Sequence, residues 1–224
     1  MKVLIFDSGP LINLSMNGLL YILEELKKNF DGKFIITEAV KQEVLDRPME
    51  IMRFELGALQ IENLIKNKIL EMPPSIGISE EKIKLKTREI MNIANHFLQI
   101  KGQWLDLVSE AEISCLALSS ELKEKNIDSI IAIDERTTRL LCENPQNLER
   151  TISEKMHEKA KIVAKDTEIF HQFKFIRSSE IVYVAYKKGV VRISGKKVLE
   201  ALLYATKFKG TAISFEEIDE LKKL

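Results

Sequence analysis

The sequence predicts an α/β protein built on a parallel β-sheet. Two short apolar runs, 3–6 and 130–133, have the length and the branched side chains of buried strands. Each run is followed directly by an aspartate, Asp7 or Asp134, and then by residues of helical composition. Such strand-to-helix junctions are typical of parallel sheets, in which crossover helices connect the strands.

The first junction has the clearer local signals. Ser8 and Gly9 follow Asp7, and Pro10 then stands in the first helical turn, where its missing N–H would be unpaired anyway. Ligands of open α/β sheets bind beyond the C-terminal ends of the strands, so Asp7 is a candidate site residue. The alternative is a helix N-cap, and the local sequence leaves both roles open.

Asp134 occupies the corresponding place at the second junction. Its side chain can cap the following helix at Thr137, which is its structural alternative. Because parallel strands leave the sheet at the same edge, we expect Asp7 and Asp134 to be neighbours in spite of their separation in sequence.

A third strand, 34–36, precedes a predicted helix over 38–46. Glu43 borders the apolar face that Val40 and Val44 form on this helix, so its carboxylate can point toward a site under the helix. An exposed surface position is the alternative, and it is the more common one for glutamate.

The fourth candidate carboxylate lies at the start of another helix. Ser109 and Glu112 have the spacing of a capping box, which gives Glu112 a structural role and leaves Glu110 for the site. Glu110 is also favoured in a first helical turn by the helix dipole, which is its alternative role.

Taken together and in this order, these acidic motifs resemble those of the PIN-domain family. The matching segments are 6–12, 37–44, 109–118 and 131–136. The likeness is to the branch whose first motif reads Asp-x-Gly-Pro-Leu-Ile and whose third carries Gly-Glu-x-Glu, although Ser109 replaces that glycine here. PIN domains are metal-dependent nucleases found in toxin–antitoxin pairs and in RNA processing and decay.

The resemblance implies a three-layer α/β/α fold with extra helices and a central parallel sheet whose first strand lies in the middle. It also implies that Asp7, Glu43, Glu110 and Asp134 are the catalytic and metal-binding residues. The cofactor expected at such oxygen ligands is Mg²⁺ or Mn²⁺. Clustered carboxylates raise one another's pKa unless a cation offsets their charge, and such an ion can bind a phosphate and activate a water.

We therefore expect a metal-dependent endoribonuclease that acts on single-stranded RNA, the form of RNA whose bases and backbone are accessible. Ser8, Arg136 and Arg139 are the candidate contacts to the substrate, the arginines because they follow Asp134 and bind phosphate well. A solvated helix face is the alternative for both arginines. An antitoxin protein or a second copy of the chain is a further expected partner.

Two other classes of protein compete with this interpretation. A non-catalytic PIN-like module would keep the fold to bind RNA or protein, and the four intact carboxylates argue against it. A receiver-like phosphotransfer domain would need paired acids after the first strand and a lysine at a later strand end. Here Asp7 stands alone, and Lys174 lies inside a predicted strand.

Zinc is not expected because Cys115 and Cys142 are far apart in sequence.

Length and composition limit the kinds of partner and the cellular location that we expect for the chain. The 224 residues include 34 basic and 34 acidic side chains, so the net charge does not itself indicate nucleic-acid binding. Apolar runs stay well short of the ~20 residues of a membrane span, and a strand near Met1 leaves no room for a signal peptide. We therefore expect a cytoplasmic protein without a membrane contact.

The domain prediction is a nuclease domain over 1–194 with helical insertions at about 49–102 and 145–172, followed by a C-terminal helical extension over 195–224. The 145–172 segment is rich in lysine and glutamate, which favours an exposed helix or arm. Further strands are predicted over 69–72 and 173–177. Further helices are predicted over 49–66, 80–100, 180–188, 196–207 and 215–224.

Overall fold

The structure is a computed structural model and describes residues 1–164 and 167–224. Lys165 and Asp166, within the predicted insertion 145–172, lie outside the described residues. In chain order, the described strands are β1 (Lys2–Phe6), β2 (Gly32–Ile35), β3 (Leu70–Glu71), β4 (Leu98–Ile100), β5 (Gln103–Trp104), β6 (Asp128–Ala132), β7 (Ala160–Ile162) and β8 (Phe175–Ile176).

Helices account for most of the remaining chain. In chain order they are α1 (Ser8–Met16), α2 (Tyr21–Lys27), α3 (Glu38–Lys41), α4 (Met52–Lys66), α5 (Glu80–Asn95), α6 (Glu110–Glu124), α7 (Arg136–Glu143), α8 (Pro145–Met156), α9 (Ser178–Lys187), α10 (Val198–Phe208) and α11 (Phe215–Lys223). A π-helical turn over Gln42–Asp46 continues α3. Short 3-10 turns occur at Pro48–Glu50, Pro73–Ile76 and Glu168–Gln172.

A five-stranded parallel sheet of order β3-β2-β1-β6-β8 forms the centre of the fold. Helices flank it in a three-layer α/β/α arrangement. This confirms the predicted α/β class and the central position of the first strand. The apolar runs explain the arrangement, because most residues of β1 and the last two of β6 are buried, whereas Ile130 in the middle of β6 is 37% exposed. Helix α6 is buried along most of its length, including three serines as well as the mainly apolar stretch 113–118.

A second, antiparallel sheet of order β5-β4-β7 joins the two predicted insertions. Strand β4 corrects the prediction of a helix over 80–100, because α5 ends at Asn95 and the chain then becomes extended. Phe97 and Leu98 are fully buried there, and the Phe97 carbonyl accepts a hydrogen bond from the Val163 N–H at 2.9 Å. The described part of 145–172 is likewise not a single helix or arm, since α8 is followed by β7.

The C-terminal helices form as α10 and α11, and they lie against the rest of the fold. Helix α10 packs on α9, and the Asn13 side chain of α1 donates a hydrogen bond to the Thr206 carbonyl at 2.9 Å. Arg177, between β8 and α9, forms ion pairs with Glu180 at 2.6 Å and with Glu217 of α11 at 2.8 Å. The last thirty residues are thus attached to the C-terminal edge of the sheet.

Within residues 1–164 and 167–224, no helix has both the length and the apolar character that crossing a bilayer requires.

Candidate functional site

Asp7 lies at the C-terminal end of the central strand and is almost fully buried. Its backbone N–H donates to the Ala132 carbonyl at 2.9 Å, which fixes it beside the end of β6. One carboxylate oxygen, Oδ2, caps α1 by accepting from the Gly9 N–H at 3.3 Å. The other oxygen, Oδ1, is buried and has no hydrogen-bond partner among the described residues. Asp7 therefore does cap a helix, but only half of its carboxylate is used for that purpose.

The pKa of Asp7 is raised to about 7, chiefly by burial and then by the nearby charges of Glu112 and Glu43, while hydrogen bonds from the backbone N–H groups of Ser8 and Gly9 lower it. At 2% exposure the carboxylate has little access to water, so its charge has to be stabilised from within the protein. The raised pKa favours the protonated form of this carboxyl, and a cation that reached its unused oxygen would compete with that proton.

Asp134 is the second buried aspartate at this edge. Its Oδ1 accepts from the Ser178 N–H at 2.8 Å, and its Oδ2 accepts from Asn13 Nδ2 at 3.3 Å. Burial raises the pKa of Asp134, and these hydrogen bonds oppose the rise. Asp134 does not cap the next helix. Glu135 takes that role, because its carboxylate accepts from the Thr138 N–H at 2.9 Å.

Gly9 shows how close the two aspartates are. A methyl group placed on Gly9 would lie 3.5 Å from Asp7 Oδ2 and 3.5 Å from Asp134 Cβ. The two side chains thus flank the same glycine, as their positions on neighbouring parallel strands predict. A larger residue at Gly9 would have to fit in the space between them.

The two glutamates at the start of α6 differ in their surroundings. The predicted capping box forms, with the Ser109 N–H donating to Glu112 Oε2 at 3.2 Å. The same oxygen accepts from Thr138 Oγ1 at 2.5 Å, and burial raises the pKa of Glu112. Its charge in turn raises the pKa of Asp7, whereas Glu110 is exposed. Glu112 therefore combines a cap with a position facing Asp7, which sequence reasoning missed.

One sequence signal pointed to Glu112. Cys115 lies one helical turn after it, and the Cys115 thiol donates to the Phe6 carbonyl at the end of β1, with an Sγ–O distance of 3.7 Å. Side chains three residues apart share a helix face, so the buried face that carries Cys115 also carries Glu112. Burial raises the pKa of the Cys115 thiol, which keeps it protonated and unsuited to metal binding.

Glu43 lies in the π-helical turn after α3. Its side chain is half-buried, and the neighbouring Val44 is buried as predicted. The Glu43 charge raises the pKa of both Asp7 and Glu112, so it faces the same site. π-Helical turns are rare and often occur at functional sites.

The expected substrate contacts are divided between two places. Ser8 follows Asp7 directly and is half-buried beside it. Arg136 is exposed and Arg139 is paired with Glu143 at 3.3 Å, and both arginines line a separate polar cavity.

The carboxylate oxygens near Asp7 suit a hard cation, but they are not close enough together to form a complete metal site. In the described part of the chain, no three His, Cys, Asp or Glu side chains are grouped closely enough to hold an ion as they stand. The orphaned Oδ1 of Asp7 and the nearby carboxylates of Glu43 and Glu112 nevertheless offer oxygen atoms only. Oxygen-only donors match the preference of Mg²⁺ and Mn²⁺.

The raised pKa of Asp7 predicts a pH-dependent stability in metal-free buffer. The carboxyl binds its proton more tightly in the folded protein than at its ordinary pKa of 3.8. Stability should therefore fall as the pH rises from about 4 to about 7 and then level off. Each tenfold change in proton affinity is worth about 1.4 kcal/mol, so the total loss should be at most a few kcal/mol.

Urea unfolding of the wild type and of Asp7→Asn across this pH range measures the effect. The difference in unfolding free energy between the two proteins should change within that window and stay constant above it. A difference that is the same at every pH would contradict the raised pKa.

The four motif segments meet at this edge of the sheet. They correspond to the β1–α1 junction, α3 with its π-helical turn, the start of α6, and the β6–α7 junction. Comparison of the chain with family models, with curated proteins and with solved structures gave no match. The PIN-domain resemblance therefore rests on these motif residues alone.

Proposed function

We propose that this protein is a metal-dependent endoribonuclease that hydrolyses phosphodiester bonds in single-stranded RNA. The observation that carries the proposal is Asp7, a buried carboxylate with one unpartnered oxygen and a pKa raised to about 7. Glu43, Glu112 and Asp134 surround it with further negative charge. A divalent cation would give the free oxygen a partner and offset the repulsion. The resemblance to PIN-domain nucleases supports the same activity.

Asp7 and Asp134 would hold the Mg²⁺ or Mn²⁺ ion directly, and Glu43 and Glu110 would contribute directly or through water. Glu112 joins this set because of its charge coupling to Asp7. When bound, the ion supplies a positive charge for the scissile phosphate and lowers the pKa of a water. Glu43 is half-buried beside the site and is suited to accept a proton from the attacking water.

The partners of Asp134 hold its side chain in one orientation. The Ser178 N–H and the Asn13 amide each contact one carboxylate oxygen. The side chains of Ser178 and Thr211 also hydrogen-bond to this carboxylate, and together these contacts lower its pKa against the effect of burial. Ser8, next to Asp7, offers a hydroxyl to the substrate phosphate.

A non-catalytic PIN-like module that binds RNA or protein is the second candidate. The observation that favours it is the lack, among the described side chains, of three acidic or other metal-binding groups close enough to hold an ion. In that case Asp7 and Asp134 would serve as a helix cap and as the acceptor of a buried hydrogen-bond network.

Metal titration separates the two candidates. Labelled single-stranded RNA is incubated with the full-length protein and with increasing Mg²⁺ or Mn²⁺, and a sample with EDTA serves as the control. We expect internal cleavage that depends on the metal, together with a higher melting temperature in its presence. A protein that is neither stabilised by either ion nor able to cleave RNA would be the non-catalytic module.

The two glutamates of α6 provide a matched pair of variants. We expect Glu112→Gln to lower the cleavage rate by about tenfold or more, because it removes a charge that faces Asp7. Glu110→Gln should have the smaller effect, because Glu110 is exposed. Both variants should stay within about 1 kcal/mol of wild-type stability, since glutamine keeps an acceptor oxygen. The comparison uses single-turnover cleavage and thermal melting. A larger loss of cleavage in Glu110→Gln would assign the site to Glu110, as the sequence predicts.

A further inference from the structure

A polar cavity of about 430 Å³ lies between α7, the start of α9 and the C-terminal segment. Four cationic side chains line it against two carboxylates, so the wall is basic although the whole chain is formally neutral. The lining residues are Arg136, Arg139, Leu140, Glu143, Arg177, Lys207, Ala212, Ile213, Ser214 and Glu217. An excess of cations in a concave surface attracts anions.

The cationic side chains that line the cavity differ in how many hydrogen bonds they already make within the protein. Arg177 is 7% exposed, and Glu180, Glu217 and the Ala212 carbonyl occupy its guanidinium. Arg139 makes one hydrogen bond, from Nη2 to Glu143 at 3.3 Å. Its Nε is buried and has no partner among the described residues. A buried donor without an acceptor is unusual, and the single bond to Glu143 leaves other N–H groups of the Arg139 guanidinium for an anion that enters the cavity.

A cluster of aromatic rings adjoins the cavity through Lys207. The Lys207 ammonium lies 4.3 Å from the centre of the Phe215 ring. Tyr204 contacts both Phe208 and Phe215, with ring centroids 6.1 Å and 6.0 Å apart. Phe208 is 72% exposed and Phe215 is 51% exposed. Large rings exposed to this degree beside a basic cavity are typical of surfaces that bind single-stranded nucleic acid.

The cavity also lies next to the segment that carries Asp134. The Ala212 N–H donates to the Asp134 carbonyl at 3.2 Å, and Arg136 follows Asp134 by two residues. The wall of the cavity and the second buried aspartate are therefore held together by the same stretch of chain.

We propose that the cavity and the rings form a strand-binding surface for single-stranded RNA. Arg136, Arg139 and Lys207 bind a backbone phosphate in the cavity, and Phe208 stacks against a base outside it. Stacking on an aromatic ring tolerates any base, so this surface contributes affinity without sequence preference. The inference rests on the proposed function, because it takes the RNA strand to be the substrate of the neighbouring carboxylates.

Binding is measured in EDTA, so that cleavage does not interfere, by the fluorescence anisotropy of a labelled oligouridylate of about 12 nucleotides. Arg139→Gln has a matched control in Arg150→Gln, because each arginine is near a glutamate four residues on. Lys207→Gln has its control in Lys187→Gln. Each lysine donates to a backbone oxygen, Lys207 to that of Ile213 and Lys187 to that of Leu224. Each also lies over an aromatic ring, that of Phe215 or of Tyr183.

We expect Arg139→Gln, Lys207→Gln and Phe208→Ala each to weaken binding by about fivefold or more, and both controls to stay within about twofold. Phe208→Tyr should restore most of the affinity, because it keeps the ring. Arg139→Gln should also lower the slope of log affinity against log salt by about 0.7, the value for one lost phosphate contact in a single strand.

The results separate this inference from the nuclease proposal. If the wild type does not bind the oligouridylate, or if the variants bind as their controls do, the strand-binding surface is wrong whether or not the protein cleaves RNA. If the variants lose affinity but the wild type never cleaves with metal, the surface stands and the nuclease proposal fails. Tighter binding of the matching deoxyoligonucleotide would overturn the assignment to RNA.

Discussion

Asp7→Asn should abolish metal-dependent cleavage of RNA while the protein stays folded. Asparagine keeps the shape of the side chain and the acceptor that caps α1 at Gly9, but it removes the charge that would bind the cation. We expect the cleavage rate to fall by ~100-fold or more. Cleavage assays at saturating Mg²⁺ or Mn²⁺ measure this loss.

Thermal melting gives a second readout of the same variant. An ion at 100 times its dissociation constant stabilises the wild type by about 2.7 kcal/mol, and this gain should largely disappear in Asp7→Asn. Without metal, the variant should be as stable as the wild type or more so, since one of several like charges has gone.

Asp128→Asn is the matched control for Asp7→Asn. Asp128 is exposed at the opposite end of β6, where it pairs with Lys174 at 2.8 Å. Its replacement should change neither cleavage nor the effect of the metal. If Asp7→Asn instead lowers the metal-free stability and the metal still stabilises it fully, then Asp7 is only a helix cap, and the proposed site is wrong.

Arg177→Ala should cause the largest loss of stability among the variants considered. The guanidinium is buried, and it contacts Glu180, Glu217 and the Ala212 carbonyl. Removing it leaves these acceptors without their donor and takes away the link between β8 and α11. We expect the free energy of unfolding to fall by about 2–4 kcal/mol.

Urea unfolding measures the change, with Arg150→Ala as the control. Arg150 is exposed, and its ion pair with Glu154 is long, at 4.0 Å. Its removal should therefore lower the free energy of unfolding by less than about 1 kcal/mol. Hydrogen exchange adds a local test, because the α11 amides should lose protection in Arg177→Ala first. If both arginine variants unfold at the same urea concentration, the Arg177 contacts do not hold the C-terminal segment.

The sequence predicted the central part of the fold because its signals there are local. A short apolar run that ends in an aspartate indicates a buried strand and its C-terminal tip, and this holds for both β1 and β6. The Ser109–Glu112 capping box predicted the start of α6 in the same way. The position of β1 in the middle of the sheet followed from the family resemblance and not from these local patterns.

The second sheet was missed because its pairing is not local. β4 and β7 have three residues each and are separated by about sixty residues of chain. A short apolar run such as Phe97–Ile100 fits the end of a helix as well as a strand. The choice depends on β7, whose residues were assigned to an exposed helix or arm.

The candidate site was only partly predictable for a related reason. Asp7 and Asp134 follow from the strand ends, but the roles of Asn13 and Ser178 depend on which segments meet around Asp134. Glu112 was missed for a different reason. Its capping-box spacing correctly predicted that it caps α6, and this cap was taken to exclude a position facing Asp7.

The Asn13 amide has fewer hydrogens than acceptors, and this weakens its hydrogen bond to Asp134. Its orientation is fixed, because Asn13 Oδ1 accepts from Asn17 Nδ2 at 2.9 Å. The Nδ2 group then has two hydrogens for three acceptors, which are the Thr206 carbonyl at 2.9 Å, Thr211 Oγ1 at 3.0 Å and Asp134 Oδ2 at 3.3 Å. The carboxylate oxygen is the most distant of the three. If Asp134 Oδ2 loses its hydrogen bond from Asn13, both amide hydrogens can still bond to Thr206 and Thr211.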